Sequence, residues 1–468
     1  MPFYSITFLF FFLPTILIGC HLSGSRLRSV FLFISSLLFY LWGSFHAIQF
    51  LLLIILGNYI AGILLSKLQV NWHRRSLFFL GIAANIFPLL YYKYSTFLQG
   101  IIFLPFAAPD ASLTPLGISF ITFHAISYLT DVFRGTASAQ KNFVQLGLYF
   151  SFFPKIASGP IQQYTEAEHS LAHSRRRFTD FSLGVERFII GLSKKLLLAN
   201  VLAEVANQAF DSPAAGLSVG IAWLGAVSYT FQIYYDFSGY TDMAVGLGLM
   251  CGLRLPENFN YPYAAQSVRE FWQRWHITLS QWFRDYLYIP LGGNRHGRLR
   301  TYCNLCLVFL LCGLWHGANW TFLVWGLMHG IFLVLERLFL ADLLARLPKI
   351  FRHGYLLLFV LVSWVLFREE NLNEAWTYLR VMAGFPVNPI ENPWILLKMD
   401  RLFFSILGIS FFLAFPFFRQ ARAAAVHFSG WFAVLAEVLY GMALLLLFVF
   451  SLLDIASGTH NSFIYFQF

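Results

Sequence analysis

The residue best placed for chemistry is a histidine inside an apolar segment. His316 lies in Cys312–Trp320, within an apolar run over residues 303–326. Ionisable residues at membrane depth are costly and are candidates for function. A neutral imidazole there would accept a proton from a hydroxyl, while Asn319 or the indole N–H of Trp315 would stabilise an oxyanion. A bond to a neighbouring helix is the favoured role for a lone histidine in such a run, and the local sequence alone does not decide between the two roles.

A second histidine lies in residues 257–290, which are rich in aromatic side chains but carry too many charges for contact with lipid. We expect this stretch at the membrane interface or on the wall of a cavity. An apolar stripe with helical spacing runs through it: Trp272, Trp275, Leu279, Trp282 and Tyr286. Polar residues flank the stripe: Gln273, His276, Ser280 and Arg284. His276 either assists proton transfer and orients substrate or merely reaches water.

A third histidine, His329, follows His316 by 13 positions. In one continuous helix it would point about 140° away from His316 and lie roughly 20 Å along the axis. The two side chains therefore share a site only if Gly317 or Gly326 breaks the helix.

Two other polar segments give weaker signals. Asp236 and Asp242 follow an apolar run, where Asp often caps the start of a helix, so a structural role is favoured. Residues 153–161 have the Pro and Gly spacing of a bent loop at a membrane face, with Lys155 available to a phosphate or carboxylate. No phosphate loop, nucleophile elbow or metal-ligand cluster appears in the sequence, so we expect no metal cofactor.

The composition excludes a soluble protein. Of the 468 residues, 58% are hydrophobic and 12% are charged, against about a quarter charged in soluble domains. The net charge of +10 does not indicate nucleic acid binding, because the basic residues occupy short loops where they orient membrane spans. Eleven apolar runs predict an all-α bundle of about eleven spans: 4–20, 28–45, 46–66, 76–97, 115–133, 182–206, 217–235, 303–326, 354–367, 402–418 and 431–453.

Loop charges orient these spans. Arg74 and Arg75 mark one loop as cytoplasmic, whereas the loop with Asp110 is not basic, so the N-terminus faces outward. The apolar stretch 143–157 is too short to cross and ends near Pro154, which predicts a re-entrant segment. We expect a multi-pass protein of the bacterial inner membrane.

Seven motifs together resemble a known family: Pro115–Phe120, Phe153–Ile161, Tyr235–Asp242, Phe271–His276, Trp282–Arg295, Leu314–Ala318 and Trp325–Gly330. They are similar to those of the membrane-bound O-acyltransferases, and within that family to the alginate O-acetyltransferase branch. The resemblance implies a single membrane domain over residues 1–468, whose best-matched core is 115–345, with helices over 350–468 that match less closely. It also implies a central tunnel through the helical core.

The resemblance further implies that His316 is the essential catalytic residue and that His276 is a second functional residue. Acetyl-CoA or another acyl thioester would be the donor substrate, with no tightly bound cofactor. The acceptor would be a cell-surface polysaccharide such as alginate, and a periplasmic partner of the SGNH-hydrolase type would complete the transfer. Six side chains are expected to bind substrate: Asn319, Trp315, Arg284, Asp285, Asp236 and Ser280.

A competing hypothesis from another class is a polysaccharide transporter or lipid flippase. It would also be polytopic and basic on its cytoplasmic side, but it would not cleave a thioester or need His316. No matching pair of broken helices in two halves, which would indicate a transporter, is visible in the sequence.

Overall fold

The computed structural model describes residues 1–69, 71–101, 108–110, 113–172, 177–212, 217–385, 399–420 and 430–458, without the side chains of residues 25, 26 and 172. Within these ranges every regular element is helical. The predicted all-α membrane fold is therefore confirmed. The predicted central tunnel stays a prediction.

The chain divides into two compact units. Unit 1 comprises Met1–Phe188 and Thr241–Glu257, and unit 2 comprises Ile189–Tyr240 and Asn258–Phe468. The expectation of one membrane domain over the whole chain stays a prediction.

Nine helices belong wholly to unit 1: α1 Leu13–Leu22, α2 Ser25–Gly43, α3 Ile48–Lys67, α4 Asn71–Leu89, α5 Ser95–Gln99, α6 Ile118–Arg134, α7 Phe143–Ser151, α8 Phe153–Ile156 and α9 Tyr164–Ala172. Helices α3 and α4 both pack against α6. Asn58 and Asn85 join α3 to α4 by two reciprocal amide hydrogen bonds of 2.9 and 3.0 Å. Such bonds hold helices together where apolar contacts alone give little specificity.

The next helices are α10 Phe178–Ser193, α11 Asn200–Phe210, α12 Val219–Met250, α13 Val268–Arg274, α14 Ile277–Phe283, α15 Arg298–His316 and α16 Trp320–Leu335. The chain continues with α17 Ala341–Ala345, α18 Lys349–Arg368, α19 Leu372–Met382, α20 Arg401–Leu413 and α21 Trp431–Ser457. Several helices are extended by π-helical turns, among them Lys194–Ala199, Arg284–Tyr288 and Glu336–Leu340.

Six helical stretches in the described residues are long and apolar enough to cross a membrane: Phe45–Lys67, Asn71–Gln99, Arg298–His316, Trp320–Ala345, Lys349–Arg368 and Trp431–Ser457. Three shorter apolar helices accompany them: Phe8–Leu22, Leu27–Gly43 and Arg401–Leu413. The predicted runs 115–133 and 217–235 lie in α6 and α12, whose side chains are mostly buried. A helix enclosed by protein needs no apolar face toward lipid, so these two helices tolerate polar residues.

The interpretation of residues 303–326 as one continuous run is wrong. Helix α15 ends at His316, Gly317 is extended, and α16 starts at Trp320 after its N-cap Asn319. The two helices form a hairpin, and they approach closely because Gly313 faces the backbone of Phe322 and Gly326 faces the backbone of Phe309.

The aromatic stretch is also not one helix. Helix α13 ends at Arg274 and α14 begins at Ile277, with His276 between them in the left-handed region. The segment of α7 and α8, predicted as re-entrant, consists of two short helices that are separated at Phe152.

The close approach of α15 and α16 gives a prediction about stability. A Cβ atom at Gly326 would overlap the backbone carbonyl of Phe309, whereas one at Gly354 in α18 meets no atom within 4 Å. Gly326→Ala should therefore lower the free energy of unfolding by about 1–3 kcal/mol. Gly354→Ala should be neutral or slightly stabilising. Thermal unfolding of the two purified variants in detergent measures the difference, and equal stabilities would contradict the packing of this hairpin.

Candidate active site

The break after His316 creates an alternating row of imidazole and indole rings in unit 2. Ring centroids lie 6.1 Å apart for His276 and Trp315, 4.8 Å for Trp315 and His316, 5.1 Å for His316 and Trp325, and 4.7 Å for Trp325 and His329. We call these five residues the histidine–tryptophan row. All five side chains are buried. Three histidines that are far apart along the chain are thus brought into one site.

Phenylalanine rings enclose the row. The ring of Phe367 lies 5.1 Å from His316, that of Phe359 lies 4.9 Å from His329, and that of Phe237 lies 4.8 Å from His276. Bulk water is therefore kept away from the imidazoles. Electrostatic interactions are stronger in such a setting, which is the condition for efficient stabilisation of a transition state.

His276 is fully buried and does not reach water as an interfacial residue would. Its Nδ1 lies 3.1 Å from Oδ1 of Asn258. Burial lowers the pKa of His276 to about 3, because the charged form loses its hydration. The ring is therefore a neutral imidazole near pH 7.

His329 has a defined tautomer. The indole Nε1 of Trp272 donates to Nδ1 of His329 over 3.0 Å, so the ring proton is on Nε2. The sequence predicted that His329 shares a site with His316 only if Gly317 or Gly326 breaks the helix, and the helix does break at Gly317. The spacing of four residues between Trp325 and His329 was the available signal, since it places both rings on one helix face.

A cavity of about 930 Å³ lies beside the row and is lined only by residues of unit 2. Ser280 and Arg284, two of the predicted substrate-binding residues, line it together with Arg269 and Arg337. Its wall also includes Cys312, which is one helical turn before His316. Cys312 and His316 are about 6 Å apart along the helix axis, and the five residues of the row are not among those that line the cavity.

Glu336 fixes the wall of this cavity. Its carboxylate accepts hydrogen bonds from the backbone N–H groups of Val268 and Arg269 at 2.7 and 3.0 Å and from the Tyr355 hydroxyl at 3.1 Å. A carboxylate at a helix N-terminus satisfies free N–H groups and favours the helix dipole. Glu336 thus anchors α13, which carries Trp272. Sequence reasoning missed this residue because the two segments are far apart along the chain.

The other predicted substrate-binding residues have different neighbours. Trp315 belongs to the histidine–tryptophan row, Asn319 caps α16 and donates to the carbonyl of Glu370, and Asp285 pairs with Arg284 at 2.7 Å. Asp236 lies in the middle of α12 and forms a buried ion pair of 2.7 Å with Lys195. Asp236 therefore does not cap a helix start. The catalytic and binding roles of all these residues stay predictions.

Lys155 in unit 1 is buried and is not exposed at a membrane face. Its Nζ donates to Oε1 of Gln162 over 3.0 Å and lies 4.2 Å from the ring centre of Tyr149. Burial lowers the pKa of Lys155 to about 7. The nearby Glu166 carboxylate acts in the opposite direction and raises the pKa of Lys155, but burial has the larger effect.

Comparison with known proteins gives consistent results. The model of MBOAT, the membrane-bound O-acyltransferase family, matches residues 120–368. "Probable alginate O-acetylase AlgI" of Azotobacter vinelandii is 37% identical over the whole of both chains. The peptidoglycan O-acetyltransferase of Helicobacter pylori is 36% identical over 81% of this chain and 79% of its own. The teichoic acid D-alanyltransferase of Bacillus subtilis is 28% identical over 71% of this chain and 88% of its own.

The buried ion pair gives a prediction about stability. Lys195→Met leaves the Asp236 carboxylate without this cation, so the free energy of unfolding should fall by about 3–5 kcal/mol. Adding Asp236→Leu removes the unpaired charge and should restore most of the loss. Arg254→Met, which breaks the more exposed pair with Asp180, is the control and should cost less.

Chemical and thermal unfolding of the four purified proteins measures these differences. Equal destabilisation of the single Lys195 variant and the double variant would contradict the buried pair.

Proposed function

This chain belongs to the family of membrane-bound O-acyltransferases, and from that premise we propose that it transfers an acetyl group from a thioester donor toward hydroxyls of an exported cell-surface polysaccharide. Acetyl-CoA on the cytoplasmic side is the proposed donor, and His316 is the proposed base. The observation that carries this proposal is the buried histidine–tryptophan row beside a large cavity with basic residues on its wall.

The proposed reaction needs one residue that first accepts a proton and then donates it. His316 takes the proton of the acceptor hydroxyl while the hydroxyl oxygen attacks the thioester carbonyl carbon. The C–S bond then breaks, and the departing thiolate receives the proton from the His316 imidazolium. His276 assists by orienting the acceptor, since its ring is neutral at pH 7 and is held by Asn258. The indole N–H groups of Trp315 and Trp325 are candidates to stabilise the oxyanion.

The cavity is the proposed donor site. Arg269, Arg284 and Arg337 offer guanidinium groups to the phosphates of the donor. Both ends of the α15–α17 hairpin that flank this cavity are basic: Arg295, Arg298 and Arg300 at one end, Arg346, Lys349 and Arg352 at the other. Basic loops mark the cytoplasmic side. This supports donor entry from the cytoplasm, with the thioester reaching toward His316 past Cys312.

The proposal for the acceptor rests on the names of the relatives. Those named above act, by their names, on alginate, peptidoglycan or teichoic acid, all of which are polymers of the cell surface. Alginate is the proposed acceptor because the full-length relatives carry that name. We further propose location in the bacterial inner membrane and a periplasmic partner of the SGNH-hydrolase type that completes transfer to the polymer.

The first test is thioester cleavage by the purified protein with labelled acetyl-CoA, an acceptor polysaccharide and the partner supplied. His316→Ala should lower the turnover number by about 10²- to 10⁴-fold, because the hydroxyl loses its base. His46→Ala changes an exposed histidine of unit 1 and is the matched control, which should keep native turnover. Absence of cleavage by the native chain under these conditions would instead support a transporter or flippase.

The second test concerns the donor site. Arg284→Ala and Arg337→Ala should each raise the KM for acetyl-CoA about tenfold, because each removes a charge-assisted hydrogen bond to phosphate. Neither change should affect cleavage of acetyl-pantetheine, a thioester without the nucleotide phosphates. Arg380→Ala, an exposed arginine of α19 that does not line the cavity, is the control. Equal effects on both donors would contradict phosphate binding in this cavity.

A further inference from the structure

Asn258 makes an unusually dense set of bonds to the segment that carries His276. Its Oδ1 lies 3.1 Å from Nδ1 of His276 and accepts hydrogen bonds from the backbone N–H and the hydroxyl of Thr278 at 3.2 and 3.0 Å. Its backbone carbonyl accepts from the N–H of Ile277 over 3.0 Å. One residue therefore contacts three consecutive residues, 276–278.

These bonds fix the tautomer of His276. The backbone N–H of Thr278 is only a donor, so the atom of Asn258 that faces it must be the amide oxygen rather than the amide nitrogen. The same oxygen faces Nδ1 of His276, which must then carry a proton. Nε2 is left as the one basic nitrogen of the ring. It is buried and has no hydrogen-bond partner within the part of the chain that the structure describes.

The backbone of His276 needs this support. His276 has φ +42° and ψ +52°, and among the described residues Tyr261 is the one other non-glycine residue with positive φ. Side chains with a Cβ rarely adopt this region. Two backbone hydrogen bonds bracket the residue, from Asn260 N–H to the Arg274 carbonyl and from Ile277 N–H to the Asn258 carbonyl, each 3.0 Å. An uncommon conformation that its surroundings hold in place is typical of a functional site.

We propose that Asn258 is a positioning residue for the acyl transfer, which holds His276 in the tautomer with a proton on Nδ1. Nε2 then accepts a hydrogen bond from another hydroxyl of the acceptor and so orients the acceptor, while the proton of the reacting hydroxyl is left to His316. This rests on the proposed function of the site, in which His276 assists His316. Neutral histidines that act through one nitrogen are commonly fixed by a bond to the other nitrogen.

The test uses the full-length protein in detergent. Asn258→Ala removes the acceptor for Nδ1, whereas Asn258→Asp keeps one. Thr278→Val is the matched control, since it removes one of the other bonds to the same Oδ1 and leaves the bond to His276. His276→Ala is the reference. The kcat and the KM for acetyl-CoA are measured for all four, and protein labelled with ¹⁵N-histidine reports the protonation of both ring nitrogens of His276.

We expect Asn258→Ala to lower kcat about 10- to 100-fold with KM within about threefold of native, which is the usual cost of losing such a partner. Asn258→Asp should stay within about tenfold, and Thr278→Val within about threefold, of the native kcat. In the native protein, Nδ1 of His276 should be protonated and Nε2 should not. Asn258→Ala should give a mixture of the two tautomers.

Three results would overturn the proposal. The first is an unprotonated Nδ1 in the native protein, which is decisive even if the alanine variant fails to fold. The second is an equal loss of kcat in Asn258→Ala and Thr278→Val with an unchanged tautomer, which would make Asn258 merely structural. The third is native turnover in the His276→Ala variant, because Asn258 would then have no catalytic histidine to position. The role of His316 as the base is tested separately by His316→Ala.

Discussion

The break in the chain after His316 is the constraint on which the site depends. Because Gly317 is extended and Asn319 starts a new helix, α16 returns along α15 instead of continuing away from it. The return brings Trp325 against His316 and places the His329 ring 4.7 Å from the same indole. Two glycines, Gly313 and Gly326, allow the helix backbones to approach closely enough for this arrangement. Without the hairpin, His316 would be an isolated polar group in an apolar span.

Three polar side chains of unit 2 hold the parts of this enclosure in place. Glu336 holds the start of α13, α13 presents Trp272 to His329, and Asn258 holds His276. Groups fixed in this way need no reorganisation when charge develops during acyl transfer. Aromatic rings surround these groups, and the cavity with its arginines lies beside the row. That combination suits a donor with a charged end and a reactive end.

Composition and motifs predicted much of this correctly. The apolar runs were sufficient for an all-helical membrane fold, whereas the catalytic role of His316 in the Trp315–His316 segment stays a prediction. The sequence left open whether the apolar run 303–326 forms one helix or two. Hydropathy reports the composition of these residues and does not reveal the turn at Gly317. The break at His276 was hidden for a similar reason, since the stripe from Trp272 to Tyr286 keeps helical spacing across it.

Contacts between residues that are distant in the sequence could not be predicted either. Asn258 precedes His276 by 18 positions, and Glu336 follows Val268 by 68. Neither separation is the three or four residues that bring side chains together on one helix, so the sequence does not indicate that the two residues of a pair are in contact. The same holds for Lys195 and Asp236, where the sequence favoured helix capping and the structure has an ion pair within the interior. Contacts of this kind depend on how helices pack, and packing is not encoded in any one segment.

The proposed function requires that the acyl donor enters the cavity of unit 2 and that its carbonyl carbon reaches His316. The most direct measurement is an electron cryo-microscopy map of the full-length protein with a thioether analogue of acetyl-CoA, in which the scissile C–S bond is not cleaved by acyl transfer. We expect density for the phosphates at Arg284 and Arg337 and for the acyl end beside Cys312 and His316. A bound analogue whose acyl end lies elsewhere, away from the histidine–tryptophan row, would contradict it.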